Sequence, residues 1–163
     1  MPAILYLPLL FAAVTGAGIV SPAHDAAPRL SPAACSVVTA AELQQAMGRP
    51  FSRGAESTEG AQSSCDYAGG TGQVTVTVER LAGKVDLRAE IASLKAAVPE
   101  GTVREAAGIA GRAFFLDIPG AGTQLYVVRG DADFVLISIL GLGDASQVSA
   151  AAETLARKAL GRL

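Results

Sequence analysis

The chain has no tryptophan, one histidine, two cysteines and no run of lysine or arginine. Each shortage closes a class of function. Aromatic residues make up 5% of the sequence, too few for the stacking platforms that hold single strands or sugar rings. Thirteen basic residues stand against fifteen acidic ones, for a formal charge of −2. The basic residues are spread thinly, so no surface that tracks nucleic-acid phosphates is expected. The only imidazole, His24, falls in a proline- and alanine-rich stretch near the start. A folded domain after it has no histidine for a Ser/His or Cys/His nucleophile, nor for a histidine-bearing zinc site. What is present in quantity is apolar: 50% of 163 residues, with 17% charged. That is enough for one domain with a core, and it is not the composition of a disordered chain.

The first 23 residues differ from the rest. Ile4 to Val20 is apolar, with its densest part over 5–14, and Ser21-Pro22-Ala23 supplies the small residues that a signal peptidase reads. This is the shape of an export signal, although no Lys or Arg precedes Ala23. The competing reading is a retained anchor of about 20 residues, strained by Pro8, Gly16 and Gly18. Cleavage would leave no stable membrane insertion. Residues 24–34, with Pro28 and Pro32, read as a linker, and 35–163 as a single domain.

Behind an export signal, Cys35 and Cys65 read as one disulfide. It would close a loop of about 31 residues, worth roughly 3–4 kcal/mol in the chain-entropy treatment, and tie the first helix to the third strand. Lipidation of Cys35 is one alternative, but Pro32-Ala33-Ala34 is a poor lipobox. Free catalytic thiols are the other, but there is no C-x-x-C and no base.

The helices announce themselves by caps and periodicity. Thr39 and Glu42 form a Thr-x-x-Glu capping box, flanked by Val38 and Leu43 at staple positions; Gly48 and Pro50 end the helix, predicted over 40–47. Leu87, Ile91, Leu94 and Val98 mark one face of a second helix over about 85–97, capped by Asp86. Asp144 caps a last helix with Gln147 in the box position, and Val148, Ala151, Ala152, Leu155 and Ala159 form its stripe. Arg157, Lys158 and Arg162 at its end complement the helix dipole.

Strands are predicted over 51–57, 65–68, 74–79, 102–105, 113–118, 123–129 and 133–140, with a loop over 59–63. Val74 to Glu79 alternates strictly, valines on one face and Thr75, Thr77 and Glu79 on the other. Phe134 to Leu140 is apolar on both faces and should be the central strand, covered on both sides. Short glycine turns make neighbouring strands antiparallel. Each half also contains a hairpin that leads into an amphipathic helix.

Several motifs fail as sites. Gly69-Gly70-Thr71-Gly72 joins two strands and opens no helix, so it lacks the dipole of a phosphate loop. Gly141-Leu142-Gly143-Asp144-Ala145-Ser146 half-matches a dinucleotide fingerprint. Its third glycine is Ser146, no βαβ unit follows, and Asp144 would repel a phosphate. Arg129-Gly130-Asp131 spells an adhesion tripeptide in a place where a hairpin needs a glycine anyway. Asp66, Asp117, Asp131, Asp133 and Asp144 are the candidates for a carboxylate pair or a calcium site, all at turns or strand ends. Ser93 and Lys95, two apart on a helix, point apart.

The order Cys35, Thr39-x-x-Glu42-Leu43, Gly48, Cys65-x-Tyr67, the Val74 to Val78 strand, Gly111, Phe114, Arg129-Gly130 and the last helix resembles the DUF3558 (LpqN-like) family of exported domains. The resemblance spans 35–163. It implies the Mog1/PsbP-like α+β fold: an antiparallel sheet of six to seven strands with helices on both faces. It supplies no catalytic residues and no cofactor. The expectation is a bacterial periplasmic or secreted, non-enzymatic domain that binds an envelope protein or a small ligand. An inhibitor or accessory subunit of an exported complex is the alternative, ahead of an enzyme using turn carboxylates.

Overall fold

The computed structural model describes residues 30–163. The expected export signal, and the linker as far as residue 29, lie outside the described residues. The linker expected through residue 34 ends earlier: Ala34 is fully buried and opens a one-turn helix, α1 (Ala34–Val37), that sequence periodicity did not show.

Helix α2 (Ala40–Met47) forms as its capping box dictates. The Thr39 hydroxyl accepts from the Glu42 N–H, and the Glu42 carboxylate accepts from the Thr39 N–H at 3.0 Å. Gly48 ends it at φ +68°, a left-handed conformation open to glycine, with its N–H on the Gln44 carbonyl. Val38 and Leu43, the staple pair, are both completely buried.

Seven strands follow: β1 (Ala55–Glu59), β2 (Gln62–Gly69), β3 (Gly72–Arg80), β4 (Thr102–Glu105), β5 (Arg112–Ile118), β6 (Gly122–Arg129) and β7 (Asp133–Leu140). Helix α3 (Leu87–Ala97) lies between β3 and β4, and α4 (Ala145–Leu160) follows β7. All pairings are antiparallel, in the order β1-β2-β3-β7-β6-β5-β4. The fold is α+β, an open seven-stranded antiparallel sheet with helices packed on it. β7 is its central strand, as its double-sided apolar pattern requires.

Three local expectations shift. The strand predicted over 51–57 starts at Ala55, because Gly54 passes directly over the sulfurs of Cys35 and Cys65. The loop predicted over 59–63 is a two-residue turn, Gly60-Ala61, with Glu59 paired to Gln62. Helix α3 begins at Leu87, two residues later than predicted, because Asp86 caps it by accepting from the N–H groups of Arg88 and Ala89.

Strand alternation sends side chains into two layers. Val74, Val76, Val78, Phe115, Leu125 and Ile137 belong to the larger core, closed by α1, α2 and α4. Phe114, Leu116 and Tyr126 face the other way, under Leu87, Ile91, Leu94 and Val98 of α3. Phe114 and Tyr126 stack with ring centroids 4.8 Å apart. The two hairpin-to-helix units seen in the sequence therefore place their helices on opposite faces of one sheet. Helix α3 covers the β4–β5–β6 half of its face and reaches Phe134 and Leu136 on β7. Among the described residues, no helix covers that face over β1, β2 and β3.

Candidate functional site

Cys35 and Cys65 form a disulfide, with Cα atoms 5.0 Å apart, consistent with an oxidising extracytoplasmic compartment. The bridge ties α1 to β2: an extra helical turn before Thr39 takes Cys35 off α2, and Cys65 lies in the second strand, not the third. Around it Glu56 accepts from the N–H groups of Ala34 at 2.6 Å and Cys35 at 2.8 Å, and from the Ser63 hydroxyl. The Tyr67 hydroxyl donates to the Val38 carbonyl, and burial pushes its phenol up to about 12. Cys35, Glu56 and Cys65 are the one group of metal-ligand types brought together among the described residues. The two sulfurs are bonded to each other and Glu56 is taken up by amides and a hydroxyl, so the cluster acts as a clasp.

The five aspartates named in the sequence do not converge. Asp66 accepts from Thr75 across the β2–β3 ladder. Asp117 is held by Arg104 at 2.6 Å and by the Thr123 hydroxyl at 2.9 Å. Asp133 is buried between Arg80 and Arg129, and Arg80 also donates to the Leu163 carbonyl at 3.1 Å. Asp144 caps α4 through the N–H groups of Ser146 and Gln147, both at 3.0 Å. Asp131 is exposed in the β6–β7 turn. The adhesion tripeptide is not presented as a unit: the Arg129 guanidinium is engaged by Asp133 and the Leu160 carbonyl, while Asp131 faces solvent.

The basic residues at the end of α4 do more than complement a dipole. Arg162 makes two bonds to the Glu42 carboxylate, at 2.7 and 2.8 Å, and Lys158 approaches it at 3.3 Å. Arg162, foremost, holds the Glu42 carboxyl well below its usual range, and Thr39 and Lys158 add to the effect. One carboxylate thus serves both the α2 cap and the α2–α4 contact. Arg157 pairs with Glu153 within α4.

Two shallow clefts open on the surface. One of about 420 Å³ lies between Lys84, Arg112, Val128 and the Gly130-Asp131 turn. The other, about 390 Å³, lies between the glycine turns 120–122 and 141–143, with Asp117 and Thr123 at its edge. In the second, the one carboxylate is already neutralised by Arg104. In the first, Arg112 is turned to the Val85 carbonyl at 3.4 Å. Neither combines an apolar cavity with converging uncommitted polar groups.

The remaining feature is the uncovered face of β1–β2–β3. Antiparallel register places Ser57, Ser64 and Thr77 in one cross-strand row. Ala55, Asp66 and Thr75 form a second row, and Glu59, Gln62 and Glu79 a third. Ser64 and Thr77 hydroxyls bond to each other at 2.9 Å, and Gln62 donates to the Ser64 hydroxyl at 3.3 Å. Burial among its neighbours raises the Glu79 carboxyl above its usual range. The sequence marked Thr75, Thr77 and Glu79 as the polar side of a strand. What it did not show is that α3 stops short of them. No helix among the described residues is long and apolar enough to cross a membrane.

Comparison with known protein families, with curated proteins and with solved structures finds no match to this chain.

Proposed function

We propose that this protein is an exported, non-enzymatic binding module of the bacterial cell envelope, periplasmic or secreted, that engages a partner through the uncovered face of β1–β2–β3. The carrying observation is that face itself. It is a three-stranded surface of hydrogen-bonding side chains that no helix among the described residues covers, whereas helices pack over the two hydrophobic layers. A solvated antiparallel face is ordinary; behind this one lies the core that the Cys35–Cys65 disulfide clasps. The resemblance to the DUF3558 (LpqN-like) domains belongs to the same proposal, as does the signal-like start. The disulfide supports the compartment.

The test is capture from envelope extract with the mature protein, beside a Ser64→Trp variant that fills the middle of the face without changing charge. A specific partner held by the wild type and released by the variant is the expected result. Equal capture by both proteins would count against this surface.

A further inference from the structure

The charge of the uncovered face specifies its partner further, on the reading just proposed. Glu59 and Glu79 lie in one cross-strand row and Asp66 in another, with the Ser57–Ser64–Thr77 hydroxyl row between them. At about 3.4 Å per residue, the two acidic rows are about 13 Å apart, so this is a spread of negative charge and not a cation cage. No lysine or arginine projects from these strands on this side. The only basic residue in them, Arg80, follows Val78 to the opposite face and is bound to Asp133 and the Leu163 carbonyl. Among the described residues, none of Glu59, Asp66 and Glu79 has a cation within 4.0 Å. Next to them on β7, the half-buried Phe134 and Leu136 pair with Glu79 and Thr77.

We propose that the occupant of this face is a basic protein surface, presenting lysine or arginine from an extended segment. The alkyl stem of a lysine packs along Phe134 and Leu136 while its head reaches Glu79, and neighbouring basic residues reach Glu59 and Asp66. Of the hydroxyl row, the exposed Ser57 is free to meet the segment's main chain, while Thr77 is buried and bonded to Ser64. Other occupants fit worse. A second copy of this face brings the same three carboxylates into opposition. An apolar partner strips water from Glu59 and Glu79 and returns no charge. Nucleic acid and anionic lipid are repelled.

The test uses isotope-labelled mature protein and two defined probes: an eight-residue alternating Lys–Thr peptide and its Glu–Thr counterpart. The Lys–Thr peptide is expected to move the amide signals of Ser64, Thr75, Thr77 and Glu79, with affinity falling several-fold on going from low to physiological salt. The Glu–Thr peptide is expected to move none of them. The triple variant Glu59→Gln, Asp66→Asn, Glu79→Gln keeps side-chain shape, and it should weaken Lys–Thr binding about tenfold or more. Equal binding of both peptides, shifts confined to other surfaces, no shifts at all, or an unaffected triple variant each overturns the basic-partner proposal. Partner capture that is lost with Ser64→Trp but kept by the triple variant leaves the face reading standing and removes only its charge. Capture that survives both variants removes the face reading itself.

Discussion

At the scale of single residues, the densest set of requirements surrounds the disulfide. A side chain on Gly54 would meet the Cys65 sulfur, the Tyr67 ring at 2.7 Å and the Cys35 sulfur at 2.9 Å. Those groups are fixed by the bridge and by the core, so they cannot yield as a flexible side chain would. Gly54→Ala is expected to cost about 1–3 kcal/mol, as overpacked cores do. Denaturant titration would show it as a lowered midpoint with an unchanged slope. A paired replacement of Cys35 and Cys65 by serine should cost about 3–4 kcal/mol through the unfolded state. If the oxidised protein and the double variant melt together, the bridge contributes nothing measurable.

Glu42 and Glu79 give the residue scale a pH dependence of opposite signs. The folded Glu42 carboxyl is a stronger acid than its unfolded counterpart, near 4.5. Its contribution is therefore complete above about pH 4.5 and is lost as pH falls toward the depressed folded value. Glu42→Gln should lose less stability than the wild type between about pH 7 and about pH 3, read by urea unfolding at each pH. Equal losses in the two proteins would sink this assignment. Burial makes the folded Glu79 carboxyl a weaker acid, so its charged form opposes folding as pH rises. Glu79→Gln should hold or raise stability at neutral pH.

At the scale of elements, the two long helices are not equivalent. Helix α4 buries its predicted stripe together with Ala156 and Leu160, and its end is locked to α2 through Glu42. Helix α3 buries only Leu94, and its approach through 81–86 is tied by one main-chain bond, from the Leu81 N–H to the Ala132 carbonyl, and by the long contact of Arg112 to Val85. Local opening costs least where little apolar surface is buried. Hydrogen exchange should therefore find α3 amides exchanging well ahead of those in α4, with an opening free energy below that of global unfolding. Matched protection in the two helices would contradict this. Both helices were legible, because a cap and a 3.6-residue stripe are local signals. The one-turn α1 was not: four residues give no periodicity, and its first amides are satisfied by Glu56 and Ser63, which lie 22 and 29 residues away.

At the scale of the whole molecule, one sheet is shared by two hydrophobic layers. β5, β6 and β7 each contribute to both, so the strands cannot give up one layer at equilibrium without the other. Leu155→Ala, in the larger layer, should cost about 2–5 kcal/mol, and Ile91→Ala, half-buried on the sheet-facing side of α3, clearly less. Both variants should still melt in a single calorimetric transition. Two resolved transitions would mean that α3 and its aromatic layer form a separate unit.

The sequence by itself determined the antiparallel strands, the central place of β7, the cap and stop of α2, the capping residues of α3 and α4, and the pairing of two cysteines. Each of these follows from contacts close along the chain, from the period of the side chains, or from there being only two thiols. Tertiary structure alone decided that Cys35 sits on a one-turn helix, α1, and that Gly54 crosses over the disulfide. It also decided that Glu42 joins α2 to α4, and that each turn aspartate is either committed elsewhere or left in solvent. The largest such decision is which half of a sheet face remains open. A valine–threonine alternation says that one side of a strand is polar. Whether a helix then lies on that side depends on where α3, held by contacts far apart in the chain, comes to rest.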